Sequence, residues 1–247
     1  MKDIKEKIIR IHYEFNLKNG IQKQFSLNLV SPTLALESRP KLPYPAWTVL
    51  THHQCFNCPL YPEQHPHCPV AVNLAEVIEF FKDFLSFEQA EVRIHTETRE
   101  YYTRTPLQEG LRSLIGLIMV TSGCPILNKL RPMAYTHLPF SSLEETKYRA
   151  ISMYLLAQYF LYREEKKPDW EIKNLARIYE DIIKVNQDFS RRLASIGPKD
   201  ASLNALAGLS CFASVLSFSI KDDYLEDLKA LFTVYLDEKT FPSEVNL

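Results

Sequence analysis

The sequence predicts an α+β protein. A small antiparallel N-terminal sheet leads into a loop rich in cysteine and proline, and a predominantly α-helical bundle fills the C-terminal two-thirds. Three observations carry this. Apolar residues alternate near the N-terminus, prolines and cysteines crowd residues 38–69, and long apolar-periodic segments bounded by capping signals follow. The small α+β part is placed at residues 1–105 and the bundle at 106–247, as one continuous globular unit.

The strands come first. Ile9, Ile11, Tyr13, Phe15 and Leu17 alternate with Arg10, His12, Glu14 and Asn16, the period of a half-buried strand. Asn19-Gly20 is a turn signal, because both residues tolerate positive φ. Phe25, Leu27 and Leu29 alternate again, which predicts a hairpin over residues 8–30. A short third strand is expected at 33–36. Another is expected at 90–96, where Ala90, Val92, Ile94 and Thr96 alternate with polar residues, paired with the hairpin.

Between these strands lie Pro40, Pro43, Pro45, Pro59, Pro62, Pro66 and Pro69, which forbid a long helix or an inner strand. So long a stretch without regular structure needs something else to hold it.

Helices fill the rest. Asn73 with Glu76 has the form of a capping box ahead of Val77, Ile78, Phe80, Phe81, Phe84 and Leu85. A second helix opens near Pro106, with proline at its first position, and ends at Gly123. Ser142 with Glu145 caps a third. It is apolar nearly all round from Tyr148 to Tyr162 and is therefore expected at the centre of the bundle. Asp169 starts a fourth, broken by Gly197-Pro198. The uncharged Leu203–Ile220 segment is a fifth, and Asp223 with Glu226 caps a last one through Leu236.

Composition excludes several function classes. The formal net charge is −1, so the basic excess of a nucleic-acid binder is missing. The N-terminal MKDIKEKIIRIHYEF lacks the apolar run of a secretory signal. Leu203–Ile220 is short for a bilayer span and rich in serine, so it reads as a core helix rather than a membrane one. The expected setting is the cytoplasm, with neither membrane nor nucleic-acid partner. A protein partner, a small ligand or a homo-oligomer stays open. GxSxG, HExxH and a phosphate-binding glycine loop do not occur.

The chemistry lies in HHQCFNCPLYPEQHPHCPVAVNL. In a reducing compartment clustered cysteines favour metal or redox chemistry over disulfides. Cys55 and Cys58 have the CxxC spacing that aims two thiolates at one ion, and Cys68 can return to it. The fourth ligand is Cys124 or one of His52, His53, His65 and His67. Zinc is the leading occupant. A 4Fe–4S cluster is the rival, because Cys58, Cys68 and Cys124 are each followed by proline, as at the final cysteine of bacterial iron–sulfur runs. A CxxC thiol–disulfide centre ranks last, since the strand-to-helix context of that motif is missing. Cys211, mid-helix among Leu209, Phe212 and Ala213, reads as a buried small hydrophobe.

The stretches CFNCPL, HCPVAVNL, TSGCPILNKLRPMAYTHLPF and TKYRAISMYLLAQYF resemble an uncharacterised bacterial family, a domain of unknown function. The resemblance spans most of the chain and implies no activity. Two readings follow: a binding or regulatory protein ordered by structural zinc, or a metal- or cluster-dependent enzyme with a pocket near Cys124, Arg131 and His137. Arg131 is a candidate for holding an anion or the open carbonyls of the proline-rich loop, and Glu145–Arg149 is an i,i+4 pair.

Overall fold

The computed structural model describes residues 6–18, 20–37, 43–221 and 225–237. Strands β1 (Lys7–Leu17) and β2 (Gln22–Ser31) form the expected hairpin, with Tyr13 opposite Phe25 and Ile11 opposite Leu27. Gly20 turns the chain at φ +79°, while Asn19 lies outside the described residues. β3 is the short Ala35–Leu36, and β4 (Gln89–His95) pairs antiparallel with β1. Periodicity did not reveal β5 (Glu100–Pro106), which pairs with β4 at the edge of the sheet. Its residues EYYTRTP are mostly polar or half-exposed, so one-face alternation is weak there. The strand order is β3-β2-β1-β4-β5, every pairing antiparallel.

One face of this sheet is buried: Tyr13, Phe15, Leu29, Val92 and Ile94 are fully enclosed. Helices α1 (Pro69–Phe81) and α2 (Leu107–Thr121) share their core. At Gly110 α2 comes so close that an added Cβ would stand 2.9 Å from both Phe15 and Val92. Glycine here serves close approach of backbone to sheet rather than a turn.

Two helix starts differ from expectation. α1 begins one turn before Asn73, with Cys68 as its N-cap and Pro69 first in the helix; Asn73 Nδ2 donates to the Pro69 carbonyl at 2.9 Å from inside it. A proline at the first helical position needs no N–H partner, and that outcompetes the capping box. In α2, Pro106 is the N-cap rather than the first helical residue. Its end is as expected, with Gly123 at φ +93°.

A 3₁₀ run at Leu127–Thr136 leads to α3 (Leu143–Arg163), whose Ser142–Glu145 capping box is complete. α3 is not the bundle's centre. It buries only the stripe Lys147, Ala150, Ile151, Tyr154 and Gln158, while Leu156, Phe160 and Tyr162 are exposed. The centre is instead α4 (Lys173–Ala194) against α5 (Asp200–Lys221), with α2 behind α5. Asp169 lies ahead of α4 and accepts from the Asn174 N–H at 2.7 Å. By length and composition α5 is apolar enough to cross a membrane, but Ala205, Leu206, Ala213 and Leu216 are buried in the protein core. The last segment is broken into α6 (Glu226–Lys229), a short 3₁₀ turn and α7 (Thr233–Leu236); Asp223 lies outside the described residues.

Candidate metal centre

The proline-rich loop is held by polar groups from α4. Arg192 is 1% exposed, and its guanidinium donates to the carbonyls of Trp47, Val49 and Leu50 at 2.8–2.9 Å. One turn earlier, buried Asp188 accepts the Phe56 N–H at 2.8 Å and pairs with Arg191. Asn57 Nδ2 donates to the Asp181 carbonyl, and His52 Nε2 meets Ser195 Oγ. Residues 181, 188, 192 and 195 share one face of α4 and its end, so a single helix grips the loop over its length.

Within the loop, Cys58 N–H donates to the Cys55 carbonyl at 3.0 Å, closing the CxxC turn. Cys68 N–H donates to the Thr48 carbonyl at 2.8 Å, and Leu50 N–H to Pro66. These two bonds fold the segment back on itself and bring Cys68 beside the turn.

Four cysteines converge there from three places in the chain: the turn, the start of α1 and the segment after α2. Cys68, Cys124 and Cys58 all act electrostatically on Cys55, as does Asp188. Burial first, then these neighbours, pushes the Cys55 thiol up to about 12. Cys68 and Cys124 are also raised, chiefly by burial. Against that, the N–H groups of Ala71 and Val70 point at the Cys68 sulfur, and those of Leu127 and Ile126 at the Cys124 sulfur. Unpaired N–H groups at a helix start favour negative charge. Arg192 adds a cation within electrostatic range of Cys68, Cys55 and Cys58.

Among the described residues no group of three or more His, Cys, Asp or Glu side chains is gathered as a metal-holding set. No imidazole is among the groups acting on Cys55. His67 Nδ1 is bonded to Thr48 Oγ1 at 2.8 Å, and His53 and His65 are exposed. Cys211 is exposed rather than buried, because the inward stripe of α5 runs through Ala205, Ala213 and Leu216 instead.

The chain belongs to a family of unknown function. Its model, described as "Domain of unknown function (DUF6901)", matches residues 11–233, so the family spans the sheet, the thiol cluster and the helices together. Comparison with curated proteins and with solved structures gave no match.

The remaining candidates fall elsewhere. Arg131 reaches the Thr33 carbonyl at 3.4 Å. Arg149 does not form the expected pair with Glu145, which closes the capping box; it donates to the Met133 and Thr136 carbonyls. His137 Nε2 is hydrogen-bonded to the buried Tyr13 hydroxyl at 2.6 Å, and burial together with Arg149 pushes its pKa down to about 3. Neutral and engaged, it is a core-satisfying histidine. It lines a cavity beside the 3₁₀ run, whereas Cys124 and Arg131 do not. Sequence reasoning missed the role of Arg192. Its partners are carbonyls about 145 positions away, and no local pattern encodes that.

Proposed function

We propose that Cys55, Cys58, Cys68 and Cys124 hold a metal that orders the loop joining sheet and bundle, in a cytosolic protein with a binding or regulatory role. The observation that carries this reading is the convergence of four thiols from three chain segments, two of them facing paired backbone N–H groups and three within range of buried Arg192. Burial raises the pKa of Cys55, Cys68 and Cys124 and makes these thiols costly to ionise, so a cation that takes their protons supplies the compensation they lack. Zinc with four cysteine ligands would close the site and leave no position for substrate.

One observation favours a second occupant. Cys58, Cys68 and Cys124 are each followed by proline, as at the final cysteine of bacterial iron–sulfur runs, which keeps a 4Fe–4S cluster as the alternative. Metal analysis with a visible spectrum on anaerobically purified protein decides. One zinc per chain without colour supports a structural zinc site. Iron with sulfide and a brown chromophore supports the cluster. Folded, metal-free protein that takes up neither overturns both. A Cys58→Ser variant should lose metal and melt well below the parent; equal melting would refute a structural role.

A further inference from the structure

A cavity of about 180 Å³ lies between α2, the 3₁₀ run, the start of α3, α4 and α5, apart from the thiol cluster. Its walls are apolar, with Leu117, Val120, Leu130, Leu209 and Leu216 among them. Polar side chains also reach it, Arg149, Tyr179 and Asn186 among them. Tyr179 and Asn186 are buried residues, 4% and 3% exposed, and Tyr179 lies within electrostatic range of Arg149. Arg149 spends Nη2 on the Met133 and Thr136 carbonyls, while its buried Nε has no partner. The other guanidinium at the cavity, Arg112, is ion-paired to Glu109 and lies over the Phe212 ring at 4.6 Å. No aspartate or glutamate is among the lining residues.

An apolar chamber with a few convergent polar groups is the usual form of a small-molecule site. Buried polar groups without partners await either water or a ligand. A dry apolar cavity of about 150 Å³ accommodates benzene, so this one suits a body of about that size. We propose that the cavity binds a small organic carboxylate with a compact apolar body. The carboxylate would meet Arg149 and accept from the Tyr179 hydroxyl and the Asn186 amide, and the body would fill the leucine-lined space. The missing acidic side chain and the cation without an ion pair select an anion over a cation; the apolar walls select against inorganic anions.

Met119 and Met133 line the cavity and Met153 does not, so methionine methyl groups report on it in the unmodified protein. Benzoate and hexanoate are titrated against full-length protein carrying ¹³C-methyl methionine, with benzyl alcohol as the uncharged probe. Saturable movement of the Met119 and Met133 signals with Met153 unmoved is expected for at least one acid, with benzyl alcohol at least tenfold weaker. Arg149→Met should weaken the acid at least tenfold. Because Arg149 also holds the 3₁₀ run, two further variants keep the test decisive. Asn186→Leu should weaken binding severalfold, and Ala213→Phe should abolish it by filling the space. Unmoved Met119 and Met133 signals with both acids, equal affinity for benzyl alcohol, or undiminished binding by Ala213→Phe would overturn the proposal.

Discussion

The N-terminal sheet and the cysteine loop adjoin the same core but are held by opposite means. The sheet is a local construction. Tyr13, Phe15, Leu29, Val92 and Ile94 bury one face against α1 and α2, and neighbouring strands share their backbone bonds. The loop buries less: Leu50 is enclosed, but Phe56 is 94% exposed and Tyr61 67%. It is fixed by hydrogen bonds to α4, above all those of Arg192. Apolar area therefore dominates in one region, and hydrogen bonds to α4, those of buried Arg192 foremost, dominate in the other. A metal at the thiols would reinforce the second region and leave the first indifferent.

The largest expected effect breaks the first side of this comparison. Phe15 is fully buried and packs edge-on against Phe25 and Phe81. Phe15→Ala should cost about 4 kcal/mol, lost contact plus residual cavity. Chemical denaturation should show the loss as a lowered midpoint. The cysteines should keep their native-state reactivity toward a thiol reagent, since the loop is anchored elsewhere. Accelerated thiol labelling of native Phe15→Ala would show that the two regions are not separately held.

Arg192→Met tests the other side. It leaves the Trp47, Val49 and Leu50 carbonyls without their donor and should cost about 3 kcal/mol. For a chain of this length that lowers Tm by about 10 °C. Lysine should not rescue it, because one ammonium cannot span three carbonyls as the planar guanidinium fork does. Here the cysteines should become reactive before the sheet unfolds. A variant that melts like the parent with protected thiols would remove Arg192 from the argument.

These two residues mark how far the sequence was legible. Phe15 announced its burial through the period-2 alternation around it, and the order of strand, loop and helix followed from the same kind of local signal. Arg192 carried no such sign, since a cation near a helix end already has a sufficient local explanation in the dipole. α3 failed for a related reason. Aromatic residues all round a helix were read as burial, yet tyrosine and phenylalanine there face outward and α4–α5 form the centre. At the candidate site, Cys55, Cys58, Cys68 and Cys124 were legible from residue type and spacing. That Cys124 comes within electrostatic range of Cys55 depended on where α2 ends in space.

A smaller effect concerns acid. The pKa of His137 is held at about 3 by burial first and Arg149 second, against an ordinary value of 6.5. The unfolded chain takes up this proton below pH 6.5, while the folded chain refuses it until about pH 3. This contribution to stability is thus fully present above pH 6.5 and falls away as pH drops toward 3, with a slope of at most one proton. His137→Gln keeps an acceptor for the Tyr13 hydroxyl and removes the titration. Its stability, measured by denaturant midpoint between pH 4 and 7, should fall less steeply with acid than the parent's. Parallel curves would mean that His137 is already charged in the folded protein.

The smallest effect separates two signals that look alike in the sequence. Ser142-x-x-Glu145 and Asn73-x-x-Glu76 both have capping-box form. At the first, Glu145 N–H donates to Ser142 Oγ at 3.1 Å and Ser142 N–H to the Glu145 carboxylate at 2.8 Å. At the second, Asn73 is already inside α1 and donates back to the Pro69 carbonyl. Ser142→Ala should therefore cost about 1 kcal/mol, because a donor at the start of α3 loses its partner. Asn73→Ala should change stability by less than about 0.5 kcal/mol, since alanine's helix propensity offsets the lost side-chain bond. The denaturation midpoints of the two variants, taken together, test the boundary itself. A cost at Asn73 equal to that at Ser142 would place the start of α1 one turn later and detach Cys68 from the helix end that points its N–H groups at the thiol.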